Sequence, residues 1–174
     1  MIRATQDFGG GSSAIGAILT GVNRSMDKWS SPFLPANAYV GAMDFRHRFL
    51  KNVYEVSGSL DKSRIEGSPA AIFSLQTNGV HQYQRPGANL PLDPSRTVLT
   101  GDAEEFKFDK IGGQHLLGET ALQRRSPGFE INDMGFLRRA DQTSWNTWVG
   151  FFDRKARQYY DNFQGKNPGW QYWT

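Results

Sequence analysis

The sequence predicts an all-β protein, an antiparallel up-and-down meander of about nine or ten strands that forms part or all of a transmembrane β-barrel. Two patterns predict it: several segments alternate apolar and polar residues with a period of two, and the connections between them alternate between long and short. Composition agrees, because 19 Gly, 12 Phe, 6 Tyr and 5 Trp among 174 residues suit β-structure better than a helical bundle. We expect one domain over residues 1–174.

The lengths of the connections predict which end of the sheet each one occupies. The long connections are Asn23–Asn37, Ser63–Ala70, Arg85–Arg96 and Arg125–Ala140. The short connections are Gly9–Ser13, Lys51–Asn52, Asn78–Gly79, Asp109–Gly113 and Asp153–Ala156. Alternate connections of a meander lie at opposite ends of the sheet, so one end is predicted to carry long loops and the other tight turns. Outer-membrane barrels are built in this way, with short periplasmic turns and long external loops.

The clearest hairpin joins the strands Ala38–Phe49 and Val53–Asp61. A two-residue turn between them places Met43 opposite Leu60 on one face and Arg48 opposite Glu55 on the other. The second face is too polar for a dry core and suits a wet lumen. The side chains predicted to face that lumen are Asp44, Arg46, Arg48, Glu55 and Asp61, with Asp102 and Glu104.

The remaining strands are predicted with less regular patterns. They are Ala14–Val22, Ala71–Thr77, Val80–Gln84, Thr97–Phe108, His115–Arg124 and Gln142–Phe152. Asn78-Gly79 is a strong hairpin signal between the second and third of these. Within Thr97–Phe108 the apolar positions change phase, which predicts a bulge or a strand that leaves the bilayer.

Aromatic residues near the predicted strand ends have two interpretations. The residues are Tyr39, Phe49, Tyr54, Trp145 and Phe152. A transmembrane barrel carries aromatic girdles at both lipid interfaces, and these positions would belong to them. A soluble sandwich would instead use the same residues in its core. The polarity of the opposite face favours the barrel.

Composition and charge exclude several classes of protein. A hydrophobic content of 38% and a mean hydropathy of −0.57 predict no membrane-spanning helix. The absence of Cys excludes disulfides and thiolate metal sites. Because the net charge is only +3 and the basic residues are dispersed, nucleic acid is not an expected partner. The first six residues lack the apolar region of a secretory signal, so a barrel would imply a longer exported protein, and the alternative is a cytosolic protein beginning at Met1.

The last long loop carries a polar cluster. Its residues are Arg125, Glu130, Asp133, Arg138 and Arg139. Two carboxylates in one loop could act as a glycosidase pair, bind Ca²⁺ or cap the loop, but a structural ion-pair network with the two adjacent arginines is favoured. None of the three histidines, His47, His81 and His115, has a partner at metal-ligand spacing, so no cofactor or metal is expected.

Four blocks of the sequence resemble a known family. They are Ser12–Arg24 (SSAIGAILTGVNR), Tyr39–Arg46 (YVGAMDFR), Leu92–Thr97 (LDPSRT) and Arg125–Asp141 (RSPGFEINDMGFLRRAD). The blocks are similar to the C-terminal outer-membrane β-barrel domain, of unknown function, of large bacterial exported proteins. In that family a carbohydrate-binding domain similar to family-nine modules precedes the barrel. The N-terminal sandwich and a barrel segment rich in Asp, Pro and Phe have no counterpart here, so the chain resembles a fragment of the domain.

The resemblance implies a location and partners. The implied location is the bacterial outer membrane, and the implied partners are the lipid bilayer, missing strands of the same barrel and glycans bound through the missing N-terminal domain. No catalytic residue is implied, and the expected role is transport, surface anchoring or recognition. A soluble β-barrel or sandwich that binds a ligand or glycan is the alternative, followed by a glycoside hydrolase that uses Glu130 or Asp133.

Overall fold

The computed structural model describes residues 1–88, 90–153, 163–167 and 171–173, and these form one antiparallel sheet with a single short α-helix. The strands are β1 (Ile2–Phe8), β2 (Ser13–Asn23), β3 (Asn37–Phe49), β4 (Tyr54–Glu66), β5 (Val98–Lys110), β6 (Leu116–Arg125), β7 (Gln142–Asp153), β8 (Phe163–Asn167) and β9 (Gln171–Trp173). Strands β1 to β8 lie in sequence order, and β9 also pairs with β7. The predicted all-β meander is confirmed, and the sheet is open rather than closed into a barrel.

The connections divide between the two ends of the sheet as predicted, except for Asn78–Gly79, which was predicted as a turn at the opposite end and lies within a connection at the loop end. Residues 24–36, 67–97 and 126–141 connect the strands at one end, which we call the loop end. Residues 9–12, 50–53 and 111–115 connect them at the other, which we call the turn end. Strand β4 extends to Glu66, so the loop predicted to begin at Ser63 begins at residue 67. Of the predicted short connection Asp153–Ala156, only Asp153 is described, as the last residue of β7, and the rest lies outside the described residues.

The β3–β4 hairpin has the predicted register. Met43 pairs with Leu60 and Arg48 pairs with Glu55. Side chains alternate along each strand, so this register divides the sheet into two surfaces. We call the surface that carries Met43 the apolar face and the surface that carries Asp44 the polar face.

The predicted hairpin of Ala71–Thr77 and Val80–Gln84 is wrong. Residues Pro69–Thr77 form helix α1, which Ser68 caps by accepting a hydrogen bond from the N–H of Ala71 at 3.2 Å. Proline at the first helical position is already in the conformation that a helix requires. Asn78 ends the helix, and its side chain accepts hydrogen bonds from the next turn, so Asn-Gly here follows a helix rather than joining two strands.

The predicted bulge in β5 is also wrong. The strand pairs with β4 without interruption from Val98 to Lys110. Its apolar residues change phase because they lie on opposite faces: Leu99 and Ala103 are on the polar face, under the loops, whereas Phe106 is on the apolar face. Asp102 and Glu104 therefore lie on the apolar face, paired across the strands with Lys62 and Leu60, and not on the lumen-like face as predicted.

The core of the molecule lies between the polar face and the loops at the loop end. One cluster joins strand residues Ala38, Ile65 and Leu99 to loop residues Ile72 and Tyr83. A second joins Ala103 to Phe129, Leu137 and Ala140 of the last loop. The loops thus cover one end of the polar face and leave the apolar face free.

Two glycines permit this close packing. A Cβ on Gly101 would lie 2.1 Å from the N atom of Phe129, and a Cβ on Gly128 would lie 2.1 Å from the O atom of Thr100. Strand β5 and the loop therefore touch backbone to backbone, a contact that any side chain would block.

Candidate functional site

The apolar face is exposed across the whole sheet. Every large hydrophobic residue of a described strand that is strongly exposed lies on this face. These residues are Ile2, Phe8, Ile15, Leu19, Tyr39, Met43, Phe45, Leu60, Phe106, Phe108, Leu116, Leu122, Trp145, Val149 and Phe151. A water-soluble sheet buries such a face, so this surface requires an apolar covering.

The border of the exposed apolar surface runs obliquely to the strands. Three successive rows of residues paired across the strands show this, taken from the loop end toward the turn end. The first row is Ile2, Leu19, Gly41, Lys62 and Asp102, and the second is Ala4, Ala17, Met43, Leu60, Glu104 and Arg124. The third row is Gln6, Ile15, Phe45, Gly58, Phe106, Leu122 and Trp145. Charged residues begin at β4 in the first row and at β5 in the second, and the third row has none. The border of the charged residues therefore lies one row, or two residues, nearer the turn end on β5 and β6 than on β4.

The polar face carries hydrogen-bonded and charged side chains where the loops do not cover it. Of the seven residues predicted to face a lumen, five lie on it, namely Asp44, Arg46, Arg48, Glu55 and Asp61. Arg48 Nε lies 2.6 Å from Glu55 Oε2 across the β3–β4 pair. Further contacts on this face join Arg3 to Asp44 at 3.3 Å and Arg46 to Asp7 at 3.9 Å, and Ser59 Oγ donates to Asp61 Oδ2 at 2.9 Å.

Aromatic residues gather on the apolar face at the turn end. Phe49, Tyr54 and Phe108 have ring centroids 5.7 to 6.5 Å apart. Lys110 Nζ lies 5.0 Å from the ring centroid of Tyr54. Phe152 was predicted to belong to an aromatic girdle but lies on the polar face. Side chains alternate along β7, and Trp145 and Phe151 lie on the apolar face, so Phe152 must lie on the other.

A buried acid and histidine join two loops. His81 and Glu130 are 0% and 1% exposed, and His81 Nε2 lies 2.9 Å from Glu130 Oε2. His81 Nδ1 lies 2.7 Å from the carbonyl oxygen of Pro127, so a ring that carries both protons satisfies both acceptors. Glu130 Oε1 accepts the N–H of Asn132 at 2.5 Å. Both carboxylate oxygens thus accept a hydrogen bond from within the protein, and the carboxylate is buried.

The hydrogen bonds to Glu130 control its ionisation. Burial alone would raise the pKa of Glu130, but the hydrogen bonds from His81 and from the N–H of Asn132 outweigh burial and hold this pKa below its ordinary value. The carboxylate is therefore ionised at neutral pH and fixes the two loops to each other.

Both acids of the predicted polar cluster in the last loop form ion pairs, but the predicted partners, Arg138 and Arg139, are wrong. Asp133 Oδ1 lies 2.5 Å from Arg24 Nη2, and Glu130 contacts His81. Among the described residues, Arg138 and Arg139 form no ion pair with either acid. The acids bind basic side chains from earlier loops because the last loop folds back over β5, a contact that local sequence does not reveal.

A cavity of about 650 Å³ lies between the last loop and the polar face of β6 and β7. Arg125, Arg138 and Arg139 line it, so three of the five predicted loop residues do come together. Amide side chains of Gln123, Gln142 and Asn146 and the apolar residues Ile131, Phe136 and Leu137 complete the wall. In the sequence, the adjacent arginines Arg138 and Arg139 were the signal for this site. The residues of β6 and β7 that face it can be identified only once the register of these strands is known.

Three further observations concern metal sites, membrane-spanning helices and similarity to known proteins. In the described ranges no three His, Asp or Glu side chains are grouped to hold a metal ion. No helix in the described part of the chain has the length and hydropathy needed to cross a membrane. No protein-family model, curated protein sequence or solved structure matches this chain significantly.

Proposed function

We propose that this chain is a segment of an outer-membrane β-barrel whose apolar face contacts lipid and whose polar face lines a lumen. One observation carries the proposal: the strongly exposed large hydrophobics of the strands all lie on one face, while the ion pairs Arg48–Glu55, Arg3–Asp44 and Arg46–Asp7 lie on the other. This is the reverse of a soluble protein, which covers its apolar face and exposes its polar one.

The open sheet requires additional strands under this proposal. Strand β1 pairs only with β2 among the described residues, and β8 and β9 pair only with β7. Backbone N–H and C=O groups in hydrocarbon have no water to bind, so both edges need partner strands. We propose that further strands of the same barrel supply them, and that the bilayer is the other partner.

The distribution of the loops supports an orientation. The folded connections, residues 24–36, 67–97 and 126–141, all lie at the loop end, which we assign to the outside of the cell. They cover the lumen side of the sheet there, so recognition or selective transport fits better than an open, unobstructed pore. Surface anchoring, and a link to glycans through a preceding domain, remain proposals from the sequence resemblance.

Refolding with and without detergent tests the membrane assignment. We expect the chain to aggregate in buffer and to fold in detergent micelles, where its mobility on a gel changes on heating. A monomeric, cooperatively folded chain in buffer alone would instead support the alternative, a soluble binding module whose apolar face is covered in another way.

A further inference from the structure

We infer that the cavity between residues 126–141 and the polar face of β6 and β7 binds a soluble organic anion that carries a phosphate or carboxylate group. Three arginines, Arg125, Arg138 and Arg139, line this cavity. No Asp or Glu lines it in the described part of the chain. Its 650 Å³ lies within the usual size range of a small-molecule site.

The positive charge of this cavity is not neutralised by the acids near it. Glu130 contacts His81, Asp133 contacts Arg24 and Asp141 contacts Arg85. Each acid of the last loop is therefore already paired with a base outside the cavity. The adjacent Arg124 provides the contrast, because it lies on the apolar face and contacts both Asp102 and Glu104 at 3.4 Å.

Arg125 is held in place by neutral groups. Its Nη1 donates to Gln142 Oε1 and its Nη2 to Gln123 Oε1, both at 3.4 Å. Amide oxygens orient a guanidinium without cancelling its charge, so the remaining donors are available to an anion. Guanidinium groups bind phosphate and carboxylate with paired, charge-assisted hydrogen bonds.

Two further features indicate what the rest of the ligand contacts. Phe136 is 82% exposed at the rim and, with Ile131 and Leu137, gives the cavity an apolar wall. Asn146 Oδ1 is buried in the lining without a hydrogen-bond partner, which leaves an acceptor for a hydroxyl group. Because the cavity opens on the polar face, the ligand is a soluble anion and not the headgroup of a lipid in contact with the apolar face.

Calorimetric titration of the folded full chain tests the site. The probes are phenyl phosphate, inorganic phosphate and, as an uncharged counterpart, benzyl alcohol. We expect saturable binding of phenyl phosphate that weakens as salt is added, weaker binding of inorganic phosphate, and no binding of benzyl alcohol. The variant Arg138→Gln/Arg139→Gln should weaken phenyl phosphate at least about tenfold, a change of about 1.4 kcal/mol. These two side chains are exposed and unpaired among the described residues, so the fold should persist.

The matched control is Arg3→Gln/Arg124→Gln, which removes the same charge away from the cavity. We expect it to change the affinity less than about twofold, since Arg3 contacts Asp44, and Arg124 lies on the opposite face of the sheet and contacts Asp102 and Glu104. Equal weakening by both double variants, binding of benzyl alcohol as tight as that of phenyl phosphate, or no saturable binding of either anion would overturn the inference. The inference does not depend on the membrane assignment, because the titration can be made in detergent or in buffer, whichever state the chain adopts.

Discussion

Placing an arginine on the apolar face distinguishes lipid from water as its surroundings. Met43 is 68% exposed and lies in the interior of the apolar surface, between Ala17 and Leu60 on the neighbouring strands. If water surrounds it, Met43→Arg should alter the free energy of unfolding by no more than about 0.5 kcal/mol. If lipid surrounds it near the bilayer midplane, the cost should be about 2–4 kcal/mol. That range corresponds to roughly a 30- to 900-fold change in the folding equilibrium constant.

Two controls separate the effect of lipid from that of an added or removed charge. Thr5→Arg places the same side chain on the polar face, beside Asp7 and opposite Gly16, and should cost less than about 1 kcal/mol. Arg46→Ser removes a contact at 3.9 Å with Asp7 and should also be mild. The assay is guanidinium unfolding of vesicle-inserted protein, followed by tryptophan fluorescence. Equal costs for Met43→Arg and Thr5→Arg would refute the assignment of the faces.

Three further predictions concern the loops and the best-defined hairpin. Glu130→Gln should lower the free energy of unfolding at pH 7 by about 3 kcal/mol, because Gln has no charge and only one acceptor oxygen for the two donors, His81 and the N–H of Asn132. Glu104→Gln, at a half-exposed pair, should change it by less than about 0.5 kcal/mol, and similar losses for both variants would contradict the buried pairing. Gly101→Ala should displace the last loop and destabilise the protein by about 1–3 kcal/mol, because the added Cβ would collide with the backbone of Phe129. Proteolysis of residues 126–141 should become faster, and an unchanged cleavage rate would show that Gly101 does not contact this loop. A double-mutant cycle with Arg48→Ala and Glu55→Ala should give a coupling of about 0.5–1 kcal/mol in unfolding experiments, and a coupling near zero would dispute the 2.6 Å ion pair.

The pH dependence of stability has a definite sign at Glu130. Its folded-state pKa lies below the ordinary value of 4.5, so its stabilising contribution is complete above that pH. The contribution is lost as the pH falls through the lower, folded-state pKa. In denaturant midpoints measured from pH 6 down to pH 3, Glu130→Gln should show a shallower fall than the parent chain. A parallel fall in both proteins would contradict the pKa direction.

Sequence alone predicted the sheet where local patterns are complete. In strands β3 and β4, apolar and polar residues alternate strictly, and a tight turn joins the strands. A shift of the pairing by one residue would mix the apolar and polar faces, so the pairing of Met43 with Leu60 could be predicted correctly. The same reasoning failed for β5, because its apolar residues lie on both faces, and Phe106 and Phe108 are exposed on the apolar face. Leu99 and Ala103 are covered by loops, a tertiary contact that alternation cannot reveal.

Helix α1 was missed because one local signal was weighted above another. Asn78-Gly79 favours a hairpin, but Ser68-Pro69 followed by two alanines is a helix start, and its cap is present in the structure. The pairing of His81 with Glu130 was beyond sequence reasoning, since the two residues are 49 positions apart and meet only after two loops fold over the sheet.

Site-directed spin labelling of β3 tests the central claim, that one face of this sheet meets lipid and the other meets water. The chain contains no Cys, so single-cysteine variants from Tyr39 to Phe49 can each carry one label in vesicle-inserted protein. We predict that accessibility to oxygen, which concentrates in lipid, is highest at Gly41, Met43 and Phe45. Accessibility to a water-soluble nickel chelate should be highest at Asp44 and Arg46. Two profiles that rise and fall together, or that lack the two-residue period, would contradict the proposed membrane function.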